Sequence, residues 1–249
     1  MIKYLLLAAS LFAGFAEAAL KDSDSLRAKA RAESYAGPVQ MNVEYDLYRN
    51  GIKLGQVTDT FTRSGNRYTL TSETRATGPL KMLWPGNIRL ESTGVVTPQG
   101  LRPIQFQHAR SDAPNKLATA RLDWKQRSIA YQYKGESRRV EGLQEGAQDQ
   151  LSQVYQFMFS PRLPGDFTLQ VVSGRDLNDF HYVRSDGGAI ETPLGALATQ
   201  RFQRITQKPD EKAITVWVAP ARNNLPVQIR VSEDGVTVEQ RLLRARIRR

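Results

Sequence analysis

From Val39 onward the apolar residues of this chain recur with a period of two, in short runs separated by turn residues. No feature constrains the fold more, because side chains alternate between two faces only along a β-strand. Met41, Val43, Tyr45 and Leu47 alternate with Asn42, Glu44 and Asp46. Asn50-Gly51 follows, a pair that tolerates the left-handed backbone of a two-residue hairpin, and the chain returns through residues 52–62. Gly55 interrupts the alternation of Ile52 and Leu54 with Val57 and Phe61, which predicts a bulge that bends the sheet. Ser64-Gly65-Asn66 turns the chain into residues 68–76.

The same grammar predicts strands at 88–97, 101–110, 117–125, 128–140, 167–172, 177–185, 212–219, 225–232 and 236–247. Another spans 189–206, with an interruption near Pro193-Leu194-Gly195. One helix breaks the series. Leu151, Val154, Tyr155 and Met158 form a single stripe at i, i+3, i+4 and i+7, with Asp149 near its amino end and Pro161 as its stop. The expected fold class is all-β, mainly antiparallel, with one helix: a strongly curved, partly open β-barrel wrapped around residues 148–159. A two-lobed variant split near residue 148 is the alternative.

The first eighteen residues read as a cleaved secretory signal, with Lys3, an apolar run over residues 4–15 and the small-residue pattern Ala16-Glu17-Ala18. The run is shorter than the roughly twenty residues needed to span a bilayer. Residues 19–37 are charged and Ala-rich, an expected tether, leaving 38–249 as a single β-rich domain in the periplasm. The chain has no cysteine, so disulfides, thiol catalysis and thiolate metal sites are excluded. Its net charge of +10 favours anionic neighbours. In a periplasm these are lipid headgroups or acidic glycans rather than nucleic acid.

Residues 214–231, ITVWVAPARNNLPVQIRV, read as a strand, a turn at Asn223-Asn224, and a strand restarting at Leu225-Pro226. The first strand is apolar on both faces, so both are expected to be covered. Its W-V-A-P…L-P-V-x-I-R-V pattern resembles the closing hairpin of LolA-like periplasmic lipoprotein carriers, half-barrels that shelter acyl chains. Six ordered segments support a second resemblance: YDLYRNGIKLG (45–55), YTLTSETRATG (68–78), GLRPIQF (100–106), AQDQLSQVYQ (147–156), ETPLGALAT (191–199) and WVAPARNNLPVQI (217–229). Together they resemble the secreted bacterial family of domain of unknown function 3108, which implies a periplasmic all-β protein and transfers no catalytic residues.

Chemistry-bearing motifs are scarce. No nucleophile elbow, phosphate loop or H-E-x-x-H pattern occurs, and the only two histidines are His108 and His181. His108 shares parity with Ile104 and Phe106, which predicts a satisfied interior side chain, while His181 is expected at the surface. Glu44, Asp46, Glu73, Glu91 and Asp123 lie on strands; an opposed pair could hydrolyse a glycoside, and a solvated sheet face produces the same pattern. No metal site and no cofactor is expected.

Two constellations remain. Residues 78–87, GPLKMLWPGN, crowd Leu80, Met82, Leu83 and Trp84 into a connection bounded by Gly and Pro. Such a loop needs a cover, and either a lid touching lipid or a plug of the core would supply it. In the last strand Leu243, Ala245 and Ile247 alternate with Arg244, Arg246 and Arg248, beside Arg241. A guanidinium row can pair with phosphate or carboxylate, or simply protect a sheet edge from aggregation.

The resulting expectation is a monomeric, non-catalytic periplasmic protein that binds a lipid or lipoprotein acyl chain. Its lining candidates are Leu80, Met82, Leu83, Trp84, Phe106, Trp124, Tyr155, Met158 and Trp217, and an anionic envelope surface is a candidate partner through Arg241, Arg244, Arg246 and Arg248. A non-catalytic envelope scaffold and a glycan-active enzyme are the alternatives.

Overall fold

Alternation becomes ladder almost throughout the computed structural model, which describes residues 37–78, 86–160, 164–208 and 211–249. The leader, the tether up to residue 36, and Leu80, Met82, Leu83 and Trp84 lie outside the described residues. The first run of strands is β1 (Gln40–Arg49), β2 (Ile52–Ser64), β3 (Arg67–Ala76), β4 (Ile88–Thr97), β5 (Gly100–Arg110), β6 (Ala118–Asp123), β7 (Ser128–Tyr133) and β8 (Glu136–Glu141). The short β9 (Gln148–Asp149) and the helix α1 (Ser152–Phe159) follow. The second run is β10 (Asp166–Val172), β11 (Leu177–Thr192), β12 (Gly195–Ile205), β13 (Ala213–Ala219), β14 (Leu225–Glu233) and β15 (Val236–Arg248).

These strands form one sheet in the order β8-β7-β6-β5-β4-β3-β2-β1-β15-β14-β13-β12-β11-β10-β9. Every pairing is antiparallel except β9 with β10. Two meandering wings therefore meet at the β1–β15 ladder, and α1 packs between them on β5 and β14. No ladder joins β8 to β9, so the sheet is curved and open, as the strand grammar leads one to expect.

Side chains bridge the seam instead. Arg138 of β8 donates to the Arg175 carbonyl in the β10–β11 turn and lies 3.7 Å from Asp176. Gly174 of that turn backs onto Ala118 of β6 so closely that a Cβ would sit 2.7 Å from the alanine methyl. Nearer the helix, Leu101 N–H donates to Gln156 Oε1 at 2.7 Å, and Gln148 Nε2 donates to the Leu101 carbonyl at 2.7 Å.

Bulges decide which side chains point inward. The expected one at Gly55 is present, opposite a register shift between Leu47 and Tyr48, and a Cβ on Gly55 would stand 2.2 Å from the Arg75 carbonyl oxygen. Two others overturn simple parity. A shift at Thr93/Gly94 leaves Ile104 unmatched and exposed while Phe106 and His108 point inward. A shift at Glu44/Tyr45 places Leu242 rather than Leu243 in the core, and Ile247 stays 37% exposed, so the apolar side of the arginine strand is only partly covered.

The expected strand at 128–140 is a hairpin turning at Lys134-Gly135, both with positive φ. Residues 193–194 separate β11 from β12, and the break expected at 186–188 is a bulge within β11.

α1 is fixed at both ends. Asp149 Oδ1 accepts from Leu151 N at 2.9 Å and from Ser152 N at 2.7 Å, while Ser152 Oγ accepts from Asp149 N at 2.9 Å. This reciprocal arrangement satisfies amides that the first turn leaves without helical partners. At the other end Asn223 and Asn224, both in the left-handed region, donate through Nδ2 to the carbonyls of Met158 and Phe157 at 3.2 and 3.1 Å. Phe159 then packs with Phe61 and Tyr68, and Phe157 with Phe202 and Phe167, in two aromatic clusters. That end of the interior is filled.

Candidate functional site

The amino end of the helix does not fill its side. Between the wings lies a cavity of about 590 Å³, within the range typical of small-molecule sites. Its first wall is a single cross-strand row. Asp59 of β2 pairs with Ser72 of β3, Ser72 with Leu90 of β4, Leu90 with His108 of β5, and His108 with Ala118 of β6, and all five line the cavity. At roughly 4.8 Å per strand, Asp59 and His108 stand about 14 Å apart along this row. The facing wall carries Ile214 of β13 and Ile229 and Val231 of β14, together with Arg204 of β12 and Gln240 of β15. Leu151, Val154 and Tyr155 of the helix segment close the floor. The mouth is charged: Arg175, Asp176 and Glu233 are exposed there, beside the Lys212–Glu233 pair at 3.2 Å.

Asp59, at the end of the first wall where Tyr155 of the floor meets it, is the chemical centre of the cavity. It is 3% exposed, a consequence of sharing strand parity with Val57 and Phe61. Tyr155 donates its hydroxyl proton to Oδ2 at 2.5 Å, and the Tyr155 oxygen lies 3.2 Å from that of Tyr45, which donates to the Pro226 carbonyl at 3.0 Å. Burial pushes the Asp59 carboxyl up to about 6, against the opposing pull of Ser72 and Tyr155. Burial also raises both tyrosines, so they stay protonated. Oδ1 has no hydrogen-bond partner; the Ser72 hydroxyl tempers the carboxyl without closing a bond of normal geometry onto that oxygen.

A second buried acid, Asp149, is raised to about 6 mainly by burial, and it is fully used, by the helix amides and by the hydroxyl of Ser92. His108 corrects the expectation of a satisfied interior histidine. It does point inward, but its Nε2 is buried with no partner, and burial together with Arg110 and Arg175 lowers its pKa. His181 is at the surface, 2.6 Å from Asp166 Oδ1.

Of the described lining candidates, Tyr155 reaches the cavity. Phe106 and Met158 are packed in the core. Trp124 sits at the β6–β7 turn, donating to the Pro103 carbonyl at 2.7 Å beneath Arg102. Trp217 stands on the outer face under Arg230, between the inward Val216 and Val218. The second apolar face of β13 is thus shielded by a guanidinium and not by another layer. Glu44, Asp46, Glu73, Glu91 and Asp123 alternate with inward residues and face outward, so they form no opposed pair across the interior. Among the described residues no group of three or more His, Cys, Asp and Glu side chains could hold a metal. Arg241 is held by Glu239, and Arg244 lies 3.4 Å from Glu44, so the basic strand is partly neutralised. Asp59 itself was detectable: an acid in register with Val57 and Phe61 is the signal that periodicity offers.

No curated protein matches the chain. A crystal structure titled as a beta-barrel-like protein of domain of unknown function DUF1849, from Brucella abortus, superimposes with a TM-score of 0.58 at 11% identity, covering 86% of this chain and 100% of that one. It is a likeness of fold. A DUF1329 family protein from Desulfovibrio piger, at 11% identity over 88% of this chain and 90% of that one, has a TM-score of 0.23 and carries no argument. The family described as Protein of unknown function (DUF3108) has a model that matches residues 44–240, and the chain belongs to that family.

Proposed function

We propose that this protein binds an apolar or amphiphilic ligand, such as a lipid or a lipoprotein acyl chain, in the cavity between the wings, and that it does so in the periplasm. The observation that carries the reading is the 590 Å³ cavity, left open beside the amino end of α1 while Phe157 and Phe159 pack into aromatic clusters at the other end. Apolar surface transferred from water onto Ile214, Ile229, Val231 and Leu90 contributes about 25 cal/mol per Å², so affinity needs few polar contacts. No bond is made or broken. In this reading Arg246 and Arg248, exposed near the end of β15, favour an anionic envelope surface. Native mass spectrometry of protein purified from its own periplasm tests the reading: an adduct that releases an amphiphile on activation supports it. A bare polypeptide that also takes up no added long-chain amphiphile refutes it.

A further inference from the structure

The cavity floor argues about which end of a ligand enters first. A hydrocarbon tail pushed to the floor would meet the Asp59 carboxyl, whose Oδ1 has no partner although the residue is 3% exposed. Leaving a buried carboxylate oxygen against hydrocarbon is costly, and a donor placed on it removes that cost. Tyr155 has one hydroxyl hydrogen, which it commits to Oδ2, and Tyr45 gives its own to the Pro226 carbonyl. Ser72, the cross-strand neighbour of Asp59, is the remaining hydroxyl there, and it closes no bond of normal geometry onto Oδ1. Above the floor the wall carries Leu90, Ile214, Ile229 and Val231; of the charged lining residues, Arg204 is engaged by the Lys212 carbonyl, Glu211 and the Phe180 ring, and Arg175, Asp176 and Glu233 stand exposed at the mouth beside Lys212. A ligand that matches this sequence of surfaces is polar at its leading end and apolar behind it.

We infer that the cavity takes an amphiphile polar end first, with an uncharged hydrogen-bond donor, a hydroxyl or an amide N–H, seated on Asp59 Oδ1. This rests on the cavity being a ligand site, as proposed above. The groups packed on Asp59 from neighbouring elements are Tyr45 of β1, Tyr155 of α1 and Ser72 of β3, and none of them titrates in the neutral range. Farther along the row His108 is uncharged at neutral pH because burial lowers its pKa. Asp59, raised to about 6, is therefore the group on the floor whose proton changes between pH 5 and 7.5.

The test compares 1-decanol with methyl decanoate, probes with the same decyl-length chain that differ in having a donor, by calorimetric titration of the full-length mature protein. At pH 7.5 the alcohol should bind about tenfold more tightly than the ester, as expected for one hydrogen bond to a charged acceptor. Asp59→Leu should abolish that preference by strengthening the ester, and Asp59→Asn, which keeps an acceptor oxygen, should retain part of it. Lowering the pH to 5 should narrow the gap in the wild type, because a protonated Asp59 can itself donate to the ester carbonyl. Equal binding of both probes to wild type and Asp59→Leu would overturn the polar-first orientation and leave the cavity reading standing. Binding of neither probe would overturn both.

Discussion

The hydroxyl of Tyr155 lies 2.5 Å from Asp59 Oδ2, linking the helix to the second strand inside the sheet. Ninety-six residues of sequence separate the two. The contact ties the element that fills the interior to the wall that holds the unpartnered oxygen, so it is both a structural bond and a determinant of the site's charge.

Replacing Tyr155 by Phe removes the donor to Oδ2 and leaves Ser72 as the hydroxyl beside the carboxyl. The variant should lose about 1–3 kcal/mol of stability, the usual cost of orphaning a buried polar group. The loss should be greater at pH 8 than at pH 5, because the ionised carboxylate needs the donor more than the acid does. Denaturant unfolding at both pH values measures it.

Asp59 also makes a signed contribution to stability. Its pKa is raised on folding from 3.8 to about 6, so between these values the native state holds more protons than the unfolded chain. Stability from this group therefore falls as pH rises from about 4 to above 6, by on the order of 3 kcal/mol for two units. Asp59→Asn removes the titration, and its stability curve should fall less steeply than that of the wild type across this window. Identical slopes would mean that Asp59 titrates in the native state as it does in the unfolded chain.

At Asp149 the sign is the same, and the carboxyl oxygens have partners. Asp149→Ala should cost about 1–3 kcal/mol, by loss of the cap and exposure of Leu151 and Ser152 amides to an apolar interior. Asp149→Asn retains an acceptor for those amides and should cost less. Thermal melts of the pair give the comparison.

Much of this architecture is legible in the chain, and the exceptions have physical causes. Period two identifies the strands, and Asn50-Gly51 adopts the positive φ angles that its hairpin needs. Asn223 and Asn224 show the limit of local reading. Their turn-forming role follows from residue type, whereas their bonds to Met158 and Phe157 join positions more than sixty residues apart. Bulges are the other limit. Because one inserted residue reverses the face of all that follow, Ile104 and Leu243 lose the inward positions that alternation assigns them. The row from Asp59 to His108 depends on register across four strands, which no single-strand pattern contains. Trp124 and Trp217 attract attention as large apolar groups, yet arginine stacking satisfies them outside the cavity.

The seam between β8 and the β10–β11 turn rests on few contacts, and Ser173, Gly174, Arg175 and Asp176 of that turn also line the cavity. Arg138→Ala removes the bond to the Arg175 carbonyl and the pairing with Asp176. Global stability should change by less than about 1 kcal/mol, as for exposed ion pairs generally, while amide hydrogen exchange at residues 173–176 should accelerate. Unchanged exchange there would show that the packing of Gly174 on Ala118 holds the turn without Arg138.

Isoleucine methyl NMR tests the central claim most directly, since the chain places isoleucines both on the cavity wall and on the surface. Ile214 and Ile229 line the cavity, whereas Ile52, Ile104, Ile205 and Ile247 are exposed. Titration with 1-decanol should shift the δ-methyl signals of Ile214 and Ile229, with saturable cross-peaks from the alkyl chain, and leave the four exposed methyls in place. Shifts confined to the exposed isoleucines, or no shift at Ile214 and Ile229 at saturating decanol, would contradict a ligand seated between the wings.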